Sequence, residues 1–480
     1  MLNFDTRTGP DLGDDAPTYP DLTVPDWYRD AKLGIFIHWG IYSVPAWARL
    51  HGDRVVNPED AYFEHEYAEW YANTVRIPGS PTQRHQVETY GLGTTYEDLA
   101  DHWRAERFDA TELVSQVLRS GARYVVPTTK HHDGFCLWDT ATTRFSTAHR
   151  GPKRDLIAEI HDAVRAAGAR FGVYFSGALD WHVSDLPPIQ SDRDLFTLRR
   201  NDAEFSRYST AQLDELIERF QPEVLWNDIE WPDGGKGGED YALAAVFREY
   251  LRQVPDGVVN DRWGVPAHGF LTREYTDVDE IQPTPWEACR GLGQSFGYNQ
   301  TEDENASMGG AEVIRYLSDV VSKNGNLLIN VGPRADGTIP ELQLAALEEL
   351  GAWLDVNGEA IFGTRPWVRA GDGTTRYTTS DGVLYCHVDP GPGRMHLPAE
   401  VADATNVSWL GGGDTPVVDR WTDVPDGLRS APVAVATVAL PWAAAAEHSG
   451  RRHPLIRPPA PDPSGRPAPP PAAGRAGRVW

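Results

Sequence analysis

The chain has 480 residues, 40% of them apolar, with 17 Trp and 18 Tyr. That supplies a large core and excludes a globally disordered protein. Seventy acidic residues against 44 basic ones leave a formal charge of −26, which excludes an extended nucleic-acid or anionic-membrane footprint. Three scattered cysteines, Cys136, Cys289 and Cys386, offer neither a disulfide framework nor a Cys-rich zinc site.

Residues 1–21, rich in Asp, Pro and Gly, read as an N-terminal arm. They lack the basic start and apolar run of a secretory signal, and no stretch reaches membrane-spanning length, so a cytoplasmic protein is expected. From 22 to 358, apolar runs alternate with segments of helical period. The runs are LGIFIH (33–38), RYVVPTT (123–129), ARFGVYF (169–175), EVLWN (223–227), VVN (258–260) and NLLINV (326–331); such unbroken runs suit strands buried on both faces. Helices are predicted over 111–120 and 155–167, the first capped by Asp109 and both stopping at glycine, then over 210–220, 311–322 and 341–356. This alternation predicts a TIM-like (β/α) barrel, with an open doubly wound sheet as its rival.

Over 359–441 the pattern changes to short alternating runs (WVRAG, TTRYTTS, GVLYCHV, ATNVSWL, APVAVATVAL) separated by Gly, Asp and Pro, which predicts a C-terminal antiparallel β-sandwich. Residues 442–480 read as a disordered tail; the last 30 contain nine prolines and six Arg against one Asp.

In a parallel barrel the C-terminal strand ends build the active site. Here they deliver His38 and Trp39, then His131, His132 and Asp133, then Tyr174, Trp226 and Asp228, and finally Asp261, Arg262 and Trp263. Planar rings beside charged groups suit a carbohydrate pocket. Each residue also has a plainer reading. Asp228 could cap a following helix, Trp39, Trp226 and Trp263 could fill core, and Arg262 could be an ion-pair partner. One of the adjacent histidines could point into the core. Glu69 and Trp70 of EHEYAEWY could lie on a solvated helix or loop. There is no H-E-x-x-H, no phosphate-binding G-x-x-x-x-G-K-[ST] and no G-x-G-x-x-G after a strand, so no metal and no cofactor is expected. GGKGGED (234–240) reads as a flexible loop near the site.

The strings AKLGIFIHWGIYSVPAW (31–47), EWY (69–71), TKHHDGFCLWD (129–139), GVYFSGALDW (172–181), VLWNDIEWP (224–232), NDRWG (260–264) and GNLLINVGPRADGTIP (325–340) closely resemble the α-L-fucosidases of glycoside hydrolase family 29, in order over residues 22 to 440. The resemblance implies a metal-free retaining exo-glycosidase with a catalytic barrel and a β-sandwich. It makes Asp228 the nucleophile and Glu274 of LTREYTD the acid/base, with Glu280 and Glu287 as fallbacks in or beyond the acidic loop 267–282. It places His38, Glu69, Trp70, His131, His132, Tyr174, Trp226 and Arg262 around the fucose. Such chemistry needs Asp228 held ionised by Arg262 or a charged His and Glu274 held protonated. The expected partner is an α-L-fucosylated oligosaccharide, with no nucleic acid and no membrane, and a homo-oligomer is left open. The competing readings are a catalytically inactive fucose-binding protein, a barrel glycosidase for another sugar, or a metal-dependent hydrolase.

Overall fold

The computed structural model describes residues 17–52 and 56–440. Residues 1–16 of the expected arm and the expected Pro/Arg-rich tail lie outside that range. The described part of the arm packs down at Tyr19, which meets the ring of Phe247 at 6.0 Å, and Leu22 just after it is buried.

Eight parallel strands form one sheet: β1 Leu33–Ile37, β2 Tyr124–Lys130, β3 Arg170–Ser176, β4 Val224–Asp228, β5 Val258–Val259, β6 Leu271–Glu274, β7 Trp286–Gly291 and β8 Gly325–Val331. The order β5-β4-β3-β2-β1-β8-β7-β6 brings the first strand between the second and the last, as in a (β/α) barrel. The β5–β6 seam is held mainly by loop and side-chain bonds: the Gly269 and Phe270 N–H groups donate to the Val259 carbonyl, and Asp261 Oδ1 accepts from the Thr272 N–H and hydroxyl. The doubly wound alternative is therefore set aside.

Period-2 alternation sorts each strand. Phe36, Tyr124, Val126, Tyr174, Val224, Trp226 and Leu328 fill the barrel interior, while Ile35, Val125, Val173 and Leu225 face the surrounding helices. Gly34 is inward-facing, and a Cβ there would lie 2.3 Å from the Tyr124 ring. Asp109 caps its helix as expected, and Asp155, read as the first residue of the next helix, is that helix's cap; each accepts from a backbone N–H three residues on. The 210–220 prediction starts too late, because the helix runs over Ala203–Phe220 from an Asp202 cap.

Strands β6 and β7 and the helix Leu243–Gln253 were not among the predicted elements. β6 replaces part of the expected acidic loop, so Glu274 closes a strand. The first half of GGKGGED is anchored, while Gly238 to Asp240 are exposed. Lys236 is buried and its Nζ lies 3.2 Å from Glu230 and 2.8 Å from Asp233.

Beyond the helix Glu341–Asn357 come eight antiparallel strands: β9 Arg365–Asp372, β10 Thr375–Ser380, β11 Val383–Val388, β12 Arg394–His396, β13 Asn406–Trp409, β14 Gly413–Pro416, β15 Trp421–Asp423 and β16 Ala434–Ala439. Six form a sheet in the order β14-β13-β16-β11-β10-β9, and β12 pairs with β15. Met395 and Val424 from the ribbon region join Tyr377, Leu384, Cys386 and Ala436 of the sheet in one core, the two-layer arrangement of a β-sandwich. Among the described residues no helix is long and apolar enough to cross a membrane.

Candidate active site

All ten residues expected at the site line one pocket at the C-terminal end of the barrel. Phe36, His65, Tyr67, Ile229 and Phe296 complete it. Asp228 is the last residue of β4, Glu274 the last of β6, and Arg262 follows β5.

The Arg262 guanidinium bridges both carboxylates. Nη1 lies 3.0 Å from Asp228 Oδ1 and Nη2 lies 2.8 Å from Glu274 Oε2, so the fixed fork holds the two acids within about 8 Å of each other. Thr272 Oγ1 accepts from Arg262 Nε at 2.9 Å, and the guanidinium carbon sits 4.7 Å from the Trp226 ring centroid. Tyr174 adds a hydroxyl bond to Asp228 Oδ2 at 2.9 Å.

The two acids are poised oppositely. Burial pushes Asp228 up, but Arg262, His132 and the Tyr174 hydroxyl outweigh it, and the carboxyl ends below the usual range. For Glu274 burial wins over Arg262, aided by the negative charge of Asp228, so its carboxyl is raised. Asp228 caps no helix, since the next α-helix starts at Leu243. Instead its Oδ1 accepts from the Ile229 N–H at 3.0 Å. Ile229 and Tyr275, the residues immediately after the two acids, have φ of 54° and 47°, a left-handed conformation that is costly for a β-branched residue such as isoleucine.

The histidines are neutral donors and acceptors. His38 Nδ1 donates to Asn330 Oδ1 and His132 Nδ1 to Ser176 Oγ, each at 2.7 Å. Burial lowers His38 to about 3 and His132 to about 4 and holds His131 well below its usual value. The Nε2 atoms of His38 and His132 can accept from sugar hydroxyls, and Arg262 is the strongest of the influences that keep Asp228 ionised. Alternation does not separate His131 from His132, because β2 ends at Lys130 and both rings line the pocket, 4.1 Å apart. His131 stacks on Tyr174, which stacks on Trp226.

Glu69 is buried rather than solvated. It accepts from the Gly297 N–H at 2.8 Å, the Phe296 N–H and the Ser295 hydroxyl, and burial nonetheless raises it to about 7. Trp70 lies parallel to His65 at 4.7 Å and edge-on to His132.

Other strand-end candidates are structural. Trp39 packs on Trp103 and Phe108, and Trp263 on Trp231 and Phe247. Asp133 accepts from the Tyr96 hydroxyl and Asp261 from Thr272. Of the fallback acids, Glu280 is exposed on the segment after β6. Glu287 lies inside the barrel, accepting from Tyr28, Tyr124 and Trp226. Phe36 was legible, standing two residues before His38 on an alternating strand. His65 and Tyr67 stand four and two residues before Glu69 in one string. Phe296 follows a strand whose charged residues masked it.

Comparison with known proteins gives the family. The α-L-fucosidase family profile matches residues 17–359. The α-L-fucosidase of Dictyostelium discoideum is 33% identical over 368 residues, 73% of this chain and 75% of its own, and human plasma α-L-fucosidase is 31% identical over 420 residues, 83% and 84%. Among solved structures, an α-L-fucosynthase of Thermotoga maritima in complex with alpha-L-Fuc-(1-2)-beta-L-Fuc-N3 is 42% identical, with 87% of this chain and 97% of that one covered and a TM-score of 0.80. On the profile match and the full-length relatives together, this chain belongs to the α-L-fucosidase family.

Proposed function

We propose that the protein is a retaining α-L-fucosidase that hydrolyses terminal α-L-fucosyl residues, with Asp228 as nucleophile and Glu274 as acid/base. The observation that carries this reading is the pair of oppositely poised carboxyls held by Arg262 in one pocket. Asp228, ionised, attacks C1 as Glu274 gives its proton to the glycosidic oxygen. The C1–O bond breaks, the alcohol leaves, and fucose is held as an ester of Asp228. Glu274, now a carboxylate, takes a proton from water, whose oxygen attacks C1 and returns the Asp228 carboxylate. Neutral His38, His131 and His132 accept from the sugar hydroxyls, Glu69 and Trp70 flank them, and Trp226 with Phe36 and Phe296 supplies apolar surface for the fucose methyl.

Proton NMR of the first product tests the stereochemistry. The reading expects α-L-fucose to form first and the β anomer to grow only by mutarotation. β-L-Fucose as first product would overturn the nucleophile role of Asp228.

A further inference from the structure

A second cavity, a cleft of about 620 Å³, adjoins the pocket and shares His65, Tyr67 and Glu274 with it. Glu274 thus stands on the wall between the two. A group that takes its proton from Glu274 can leave through this cleft without crossing the narrower pocket. The cleft wall carries two tyrosines, Tyr67 and Tyr275, and beside Glu274 three further acidic residues, Glu66, Asp192 and Glu312. Glu66 contacts His51 at 2.6 Å, Asp192 accepts from the Tyr62 hydroxyl, and Glu312 accepts from the Gly309 N–H. Arg290, also on the wall, lies against the faces of Tyr275 and Tyr316 at 5.2 and 5.6 Å. The buried Gln294 Oε1 has no donor among the described residues and offers the cleft an acceptor for a hydroxyl or amide N–H.

We infer that this cleft receives the aglycone and selects uncharged ones, such as neutral oligosaccharides, over aglycones carrying a carboxylate or sulfate. The inference rests on the proposed fucosidase reading. Like charges on the wall repel an incoming anion, and several at close range are worth on the order of tenfold at low salt. The effect shrinks as salt screens it.

The test uses two aryl α-L-fucosides that differ only in a carboxamide against a carboxylate on the aglycone ring, mixed in one reaction with the full-length protein. Their kcat/KM ratio under competition does not depend on how much enzyme is folded. The expected ratio favours the carboxamide by about tenfold at low salt, falls at 0.5 M salt (about 4 Å screening length), and falls several-fold in the double variant Glu66→Gln, Asp192→Asn. A ratio within about twofold of one, one unchanged by the double variant, or a preference for the carboxylate through Arg290 would overturn the inference while leaving the fucosidase reading intact. Turnover of neither fucoside would overturn both.

Discussion

The Asn260 side chain clamps the backbone of Asn227. The Asn227 N–H donates to Asn260 Oδ1 at 3.0 Å, and Asn260 Nδ2 donates to the Asn227 carbonyl at 2.9 Å. Asn227 Nδ2 also reaches the carbonyls of Glu230 and Arg262. Each asparagine precedes an aspartate, so the paired N-D steps in VLWNDIEWP and NDRWG lock β4 to β5 where Asp228 meets Arg262. Asn260→Ala leaves a buried N–H and carbonyl unpaired, at a cost of about 1–3 kcal/mol. We predict a lower melting temperature and a kcat about tenfold down on an aryl α-L-fucoside, the cost of a displaced catalytic pair. An unchanged kcat would show that Asp228 and Arg262 hold their geometry unaided.

The opposed shifts of Asp228 and Glu274 set the pH profile. Activity should fall with rising pH as Glu274 loses its proton, above the ordinary range for glutamate, and fall with acid only below the ordinary range for aspartate. Glu274→Gln should abolish the alkaline limb in kcat/KM on a good leaving group. Retention of that limb would assign it to another residue.

Glu287 is the next residue to test. Three donors converge on it: Tyr28 at 2.7 Å and Tyr124 at 2.5 Å on Oε2, and Trp226 at 2.9 Å on Oε1. Glutamine offers one acceptor oxygen and turns an N–H₂ toward the remaining donor, again at about 1–3 kcal/mol. Glu287→Gln should lower the melting temperature and raise KM several-fold through Trp226, on whose face Arg262 rests. Unchanged values for both would show that the barrel interior repacks without it.

Buried carboxyls and buried histidines move stability in opposite directions with pH. Glu69, Glu287 and Glu302 are each raised from 4.5 to about 7 by burial, so their contribution is full below about 4.5 and is lost as pH rises through about 7. His38 and His65, lowered from 6.5 to about 3 by burial, act in the opposite sense, and theirs is lost as pH falls through about 3. Melting temperatures across pH 3 to 9 (about the span of ordinary carboxylate to thiol titration) should therefore drop on both sides. A monotonic rise to pH 9 would contradict the burial of those three glutamates.

Much of this fold was legible because six of the eight barrel strands are unbroken apolar runs. β6 and β7 were not, for a physical reason: Arg273 and Glu274 occupy half of a four-residue strand, and β7 carries Glu287 and Arg290. Charges that the barrel interior and the Arg262 bridge accommodate erase the apolar signal. The helix Leu243–Gln253 begins without a side-chain cap, which hid its start despite an apolar face. At the site, strand-end position alone singled out His38, Tyr174, Trp226, Asp228 and Arg262. Glu274 came only from the family resemblance, since nothing in LTREYTD marks one acid above its neighbours. The buried state of Glu69 depends on N–H groups more than 200 residues away, which no local pattern carries.

The most direct measurement is turnover of an aryl α-L-fucoside by wild type and by Asp228→Gly, with and without azide. The account predicts wild-type turnover, its loss in the variant, and rescue by azide as β-L-fucosyl azide, the small anion entering on the face that Asp228 vacates. Undiminished turnover by the variant, or rescue that yields the α-azide, would contradict Asp228 as the nucleophile.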